Sequence, residues 1–167
     1  MKQVKKWILP VLLFVLLSLL ENSVGPIWSG CNPPYLLCFS IMCALFFDEK
    51  SACVFGVLAG LAEDVFSSDL FGLRAAVYLI LVYLIAFLNA TVLSRNVITG
   101  CVAGVAACLL AEVVVWGGVS LRTPVPVSHA LRYVLLPRCV MALPVLLLLY
   151  GLFSRSVRDH DALTRRR

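Results

Sequence analysis

Charge is scarce in this sequence. Only 14% of the 167 residues are Asp, Glu, Lys or Arg, while 62% are hydrophobic; a soluble domain carries roughly 25% and 45–50%. Too little polar surface is available to cover a water-soluble core of one domain, so a soluble globular protein is excluded. Histidine is nearly missing, with His129 near a loop and His160 in the C-terminal tail. HExxH, GxSxG and P-loop patterns do not occur, which removes the common metalloprotease, hydrolase and nucleotide-binding readings. None of the seven cysteines forms a CxxC. Cys38, Cys43, Cys53, Cys101, Cys108 and Cys139 lie in or beside apolar runs and read as small packing residues, and only Cys31 falls in a polar loop. Catalytic, cofactor and metal residues are therefore not assigned. The net charge of +5 does not form a patch suited to nucleic acid.

What the chain has is apolar runs punctuated by short polar turns. Lys2, Lys5 and Lys6 precede the run Trp7–Leu20. No small-x-small cleavage site follows, so this reads as an uncleaved first span reaching about Trp28 rather than a signal peptide. The turn cluster Gly30, Asn32, Pro33, Pro34 leads to a second run, Tyr35–Phe47. Asp48-Glu49-Lys50 separates it from a third, Ser51–Phe66. Both are short against the roughly 20 residues a bilayer core asks of a helix. They are two full spans in a thinned bilayer or a re-entrant hairpin, with full spans favoured. Leu73–Leu93 and Val97–Val119 make the fourth and fifth, Ser94-Arg95-Asn96 standing between them. Thr123-Pro124-Val125-Pro126 is a non-helical connector. The sixth runs from about His129 to Phe153, with Pro137 and Pro144 expected to kink it. The fold class is thus all-α: a polytopic membrane protein, a compact bundle of about six transmembrane helices with short second and third spans. Residues 1–153 form a single domain and 154–167 a mobile charged tail.

Six spans put both termini on one side. Ten basic residues fall there: Lys2, Lys5, Lys6, Lys50, Arg95, Arg155, Arg158, Arg165, Arg166 and Arg167. Arg74, Arg122, Arg132 and Arg138 fall on the other side or in the membrane. The positive-inside rule then places both termini in the cytoplasm and Cys31 outside. The hairpin alternative leaves that sidedness unchanged.

The stretch Val54–Ala86 organises the rest. An apolar run carries Gly56 and Gly60 and ends on Glu63 and Asp64; a polar elbow, Ser67–Asp69, and Gly72 precede the next run. Small residues at i, i+4 admit a close neighbouring helix, and Ser68 or Asp69 is expected to cap the fourth span. Ala52, Gly56, Gly60 and Asp64 stand four apart, as do Gly100, Gly104, Cys108 and Glu112. Each set shares a helix face and reads as a packing seam closed by an acid.

Glu21, Glu63, Asp64, Glu112 and Arg138 are charges in or near the membrane, where they are costly. Structural pairing is the favoured reading over interface snorkelling and ion transport. Glu112 lies seven residues before Val119, about 10 Å in, and Arg138 eight residues after Ala130, about 12 Å in. Consecutive antiparallel spans at matched depth predict a Glu112–Arg138 pair, with Asp64 as the competing partner.

Gly56-x-x-x-Gly60-x-x-x-Asp64, the polar elbow and Leu70-Phe71-Gly72-Leu73 opening a long apolar helix resemble the rod-shape-determining protein MreD family, as do the size, basic N-terminus and charged tail. Arg74 departs from the uncharged residue expected there. The resemblance implies a non-enzymatic component of the bacterial cell-elongation machinery in the inner membrane, acting in rod shape and lateral peptidoglycan synthesis. It would scaffold an MreC-like bitopic protein together with the MreB filament and peptidoglycan synthases. The family fold also looks similar to the substrate-binding subunits of energy-coupling-type vitamin transporters, so a small-molecule-binding subunit is the alternative it implies.

Overall fold

The structure, a computed structural model, describes residues 2–23, 32–66, 71–91, 97–120 and 135–165. The described residues form six helices and no strand: α1 (Lys2–Ser23), α2 (Tyr35–Phe46), α3 (Glu49–Phe66), α4 (Leu73–Thr91), α5 (Val97–Ser120) and α6 (Leu136–Arg165). Two stretches, Gly100–Ser120 and Leu136–Arg155, are long and apolar enough to cross a membrane. Pro10–Glu21, Tyr35–Phe46 and Leu73–Asn89 are apolar but shorter. Cys31, the Ser67–Asp69 elbow, the turn at 94–96, the connector at 123–126 and His129 lie outside the described residues.

The helices alternate in direction. The end of α1 meets the start of α2 through Glu21 and Leu36. The end of α3 meets the start of α4 through Asp64 and Gly72. Glu112, late in α5, meets Arg138, early in α6. At the opposite end of the bundle, Asn89 of α4 donates to the carbonyl of Leu45, 3.1 Å away at the end of α2.

The shortest helix stands at the centre. Every residue of α2 from Leu36 to Leu45 is buried, and all five other helices pack around it or its neighbours. Twelve residues span only about 18 Å. That suffices for a core element whose whole circumference is protein. Its buried hydroxyl, on Ser40, donates to the carbonyl of Leu36 one turn back, so Ser40 brings no unmet polar group to the core. The outer helices face the other way: Leu12, Leu16, Ile80, Val102, Leu110 and Leu148 are exposed, which suits a hydrocarbon solvent and not water.

Both four-residue ladders are seams. A Cβ on Gly60 would lie 2.4 Å from the Cα of Ala75, so α3 and α4 touch backbone to backbone. Gly56 faces Val82 of α4. Gly100 faces Leu45 of α2, and Gly104 faces Leu146 of α6. The cysteines pack as expected: Cys38, Cys43, Cys108 and Cys139 are buried free thiols, while Cys53 and Cys101 are partly covered.

Pro144 stands in the interior of α6, as expected. The residues just before Leu135 lie outside the described residues, and with them the test of a bend at Pro137. Beyond Phe153, α6 continues as helix to Arg165, so most of the segment read as a mobile tail extends the last helix.

Candidate functional site

One end of the bundle collects nearly all the buried polarity, and its geometry begins with Gly60. Because Gly60 has no side chain, α3 lies against the first turn of α4. Asp64, one turn further on, then reaches the amides that α4 cannot satisfy internally. Its Oδ2 accepts from Gly72 N at 2.9 Å and Ala75 N at 3.1 Å, and its Oδ1 from Arg74 N at 3.3 Å. A carboxylate is also favoured at a helix N-terminus by the axial dipole. Asp64 thus caps the fourth helix from α3; the cap expected of Ser68 or Asp69 lies outside the described residues. Gly72 supplies the backbone shape, with φ at +90°, a left-handed conformation that side-chain-bearing residues resist.

The neighbouring acid points another way. Glu63 Oε2 accepts from Arg74 Nη1 at 2.9 Å and from the Tyr78 hydroxyl at 2.6 Å. Arg74, the departure noted in the sequence, is therefore a cation in direct contact with the buried Glu63. The two are eleven residues apart but adjacent across the close α3–α4 contact.

On the far side, Arg138 Nη1 donates to Glu112 Oε1 at 2.6 Å. Glu112 is only 7% exposed, and short charge-assisted bonds of this kind offset the cost of burying both charges. Arg138 Nε donates to the carbonyl of Asn32 at 3.2 Å. Asn32 Nδ2 in turn donates to the carbonyl of Glu21 at 3.2 Å. Glu21 Oε2 accepts from Leu36 N at 3.2 Å, capping α2. Together the two clusters draw at least one group from each of the six helices.

Of the residues singled out from sequence, Glu112 and Arg138 are brought into direct contact, and Gly60, Asp64 and Gly72 form one α3–α4 junction. Gly56 lies farther along the same seam. Sequence reasoning did not place Asn32, Arg74 or Tyr78. Tyr78 looks like an ordinary aromatic in an apolar run. A usable signal was Arg74 itself, since a lone cation near an apolar run needs an anion at its own depth.

The arrangement holds helices together. Its acids are bound to guanidinium, phenol and amide donors, and among the described residues no group of three or more His, Cys, Asp or Glu side chains is placed to hold a metal ion. Compared with known families, the chain matches the one described as rod shape-determining protein MreD over residues 1–155. No curated protein and no solved structure matches it.

Proposed function

The chain belongs to the rod shape-determining protein MreD family, and from that membership we propose that it is a scaffold of the cell-elongation complex. Rod shape determination and membrane residence come with the family. The finer reading is a multi-pass inner-membrane protein with both termini in the cytoplasm, joining an MreC-like bitopic protein to the MreB filament and the peptidoglycan synthases. It acts without catalysis of its own.

The observation that carries this reading is the family match, which spans all six helices up to residue 155. The geometry supports it. The buried acids and bases are engaged in tying helix to helix, as a rigid platform requires, and the apolar exterior fits a lipid surround. The basic-residue asymmetry supports the orientation.

Depletion in a rod-shaped host tests the proposal. Cells should round up while small-molecule uptake stays normal, and the detergent-extracted protein should co-purify with a bitopic membrane partner. Normal shape with collapse of one vitamin's uptake would overturn the scaffold reading and favour a transporter subunit.

A further inference from the structure

The lipid-facing helices differ in length. Gly100–Ser120 of α5 and Leu136–Arg155 of α6, with 21 and 20 residues, rise about 30 Å. The 19 residues of α4 come close to that, at about 28 Å. All three match a hydrocarbon core about 30 Å thick. α2 is far shorter, but from Leu36 to Leu45 it is buried in protein, so its length makes no demand on lipid.

α3 does make one. Its Val54, Leu58 and Val65 are exposed, so this helix faces the hydrocarbon. Asp48, Glu49 and Lys50 are exposed at one end. At the other, the apolar run stops at Phe66, which Ser67-Ser68-Asp69 follows in the sequence, and Asp64 is tied to the first turn of α4. α3 has 18 residues; without the two charged ones at its start, it rises about 24 Å upright and less when tilted. α1 lies beside it, the rings of Phe14 and Phe55 being 6.4 Å apart between centroids. The apolar run of α1, Trp7–Leu20 between Lys6 and Glu21, rises about 21 Å. Two neighbouring helices thus fall roughly 6–9 Å short of the core. Lysine can snorkel from such a position, but Asp48 and Glu49 are too short to do so.

We propose that the bilayer is thinned along the α1–α3 side of the bundle and of ordinary thickness along α5 and α6, so that the α1–α3 side favours phospholipids with short acyl chains. A bilayer accommodates a short apolar stretch by thinning, which brings both charged ends of α3 to the headgroups. A long helix can instead tilt, so α5 and α6 tolerate a thin bilayer better than α1 and α3 tolerate a thick one. The inference is independent of the scaffold reading, since it rests on helix lengths and exposure.

Nitroxide labels test it in the full chain, reconstituted in dioleoylphosphatidylcholine vesicles with the native cysteines replaced. Accessibility to oxygen, which concentrates in hydrocarbon, is compared with accessibility to a water-soluble nickel chelate at Lys50→Cys, Leu58→Cys and Val102→Cys. Lys50 and Val102 each lie about 12 Å from the middle of the apolar part of their helix. The oxygen-to-nickel ratio should nevertheless be several-fold lower at position 50 than at position 102. Equal ratios at the two, or a ratio at position 50 as high as at position 58, would overturn the proposal. Thermal stability of the unsubstituted chain needs no label. It should be at least as high in dimyristoleoylphosphatidylcholine, whose chains are shorter, as in the dioleoyl lipid, and a clear loss in the shorter lipid would equally overturn it.

Discussion

Replacing Gly60 by alanine should separate α3 from α4. The added Cβ would meet three backbone atoms of α4: Ala75 Cα at 2.4 Å, Ala75 N at 2.6 Å and Arg74 O at 2.8 Å. Backbone cannot rotate aside as a side chain does. Restoring ordinary contact, from 3.4 Å upward, therefore needs the helices to part by about 1 Å. Overpacking of this kind costs about 1–3 kcal/mol. The same movement stretches the three amide bonds to Asp64, and loss of a cap adds about 1 kcal/mol. At roughly 2–4 °C per kcal/mol for a chain of this length, the apparent Tm should fall by about 4–16 °C. The assay is thermal denaturation in one detergent across a glycine series. Gly56→Ala, facing Val82 side-chain atoms at 3.0 and 3.3 Å, should cost less. Gly104→Ala meets both methyl groups of the fully buried Leu146, at 2.7 and 3.0 Å, and should also cost less than Gly60→Ala because a side chain rather than backbone must give way. Gly151→Ala meets nothing within 4 Å and should gain about 0.5–1 kcal/mol from the better helix former. If Gly60→Ala is as stable as Gly151→Ala, the backbone contact between α3 and α4 is wrong.

Three further outcomes follow from the same junctions. Gly72→Ala should lose about 1–2 kcal/mol from its left-handed backbone alone, because open space surrounds the new methyl; an unchanged Tm would place the turn in another conformation. Glu112→Ala and Arg138→Ala should each cost about 3–5 kcal/mol, with the double variant well above their sum in stability because neither charge is left stranded; Asp64→Ala with Arg138→Ala should be more nearly additive, and coupling as strong there would refute the assignment of Arg138 to Glu112. With the other six cysteines replaced, a membrane-impermeant thiol reagent should label Cys31 on intact cells, and labelling of a cysteine placed in the tail instead would invert the orientation.

Much of this arrangement was legible because it depends on spacing along a single helix. The Gly56–Gly60–Asp64 register puts two small residues and an acid on one face, and the seam follows from that register. Glu112 and Arg138 were legible because two consecutive helices joined by one connector impose a common depth. Glu63 with Arg74 was not. Their contact needs α3 and α4 to lie at backbone distance, and a separation of eleven residues across an elbow does not fix that. Asp64 was weighed as a partner for Arg138 because its charge was visible and the unsatisfied amides of α4 were not. The central place of α2 was illegible for a related reason. A helix apolar all round offers no preferred face, and periodicity alone cannot tell protein on every side from lipid on some.

The two ends of the bundle are held by different physics, which bears on what a rigid platform can transmit. At the polar end, directional bonds specify partners: Glu63 to Arg74 and Tyr78, Glu112 to Arg138, Arg138 to Asn32. Elsewhere aromatic rings do the holding. Phe39 packs edge-on to Phe55 at 5.6 Å, Phe46 stacks on Phe153 at 5.8 Å, and Phe47 meets Phe153 edge-on at 5.9 Å. Ring contacts contribute about 0.5–1.5 kcal/mol each beyond burial and tolerate small shifts. Buried ion pairs tolerate few, since a displaced partner leaves a charge exposed to hydrocarbon. Relative movement of the helices is therefore least costly at the aromatic end, while the polar end fixes which helices are neighbours. A change imposed on α6 near Phe153 can be absorbed among rings, whereas one imposed on Arg138 must be passed through Glu112 to α5 and through Asn32 to α1.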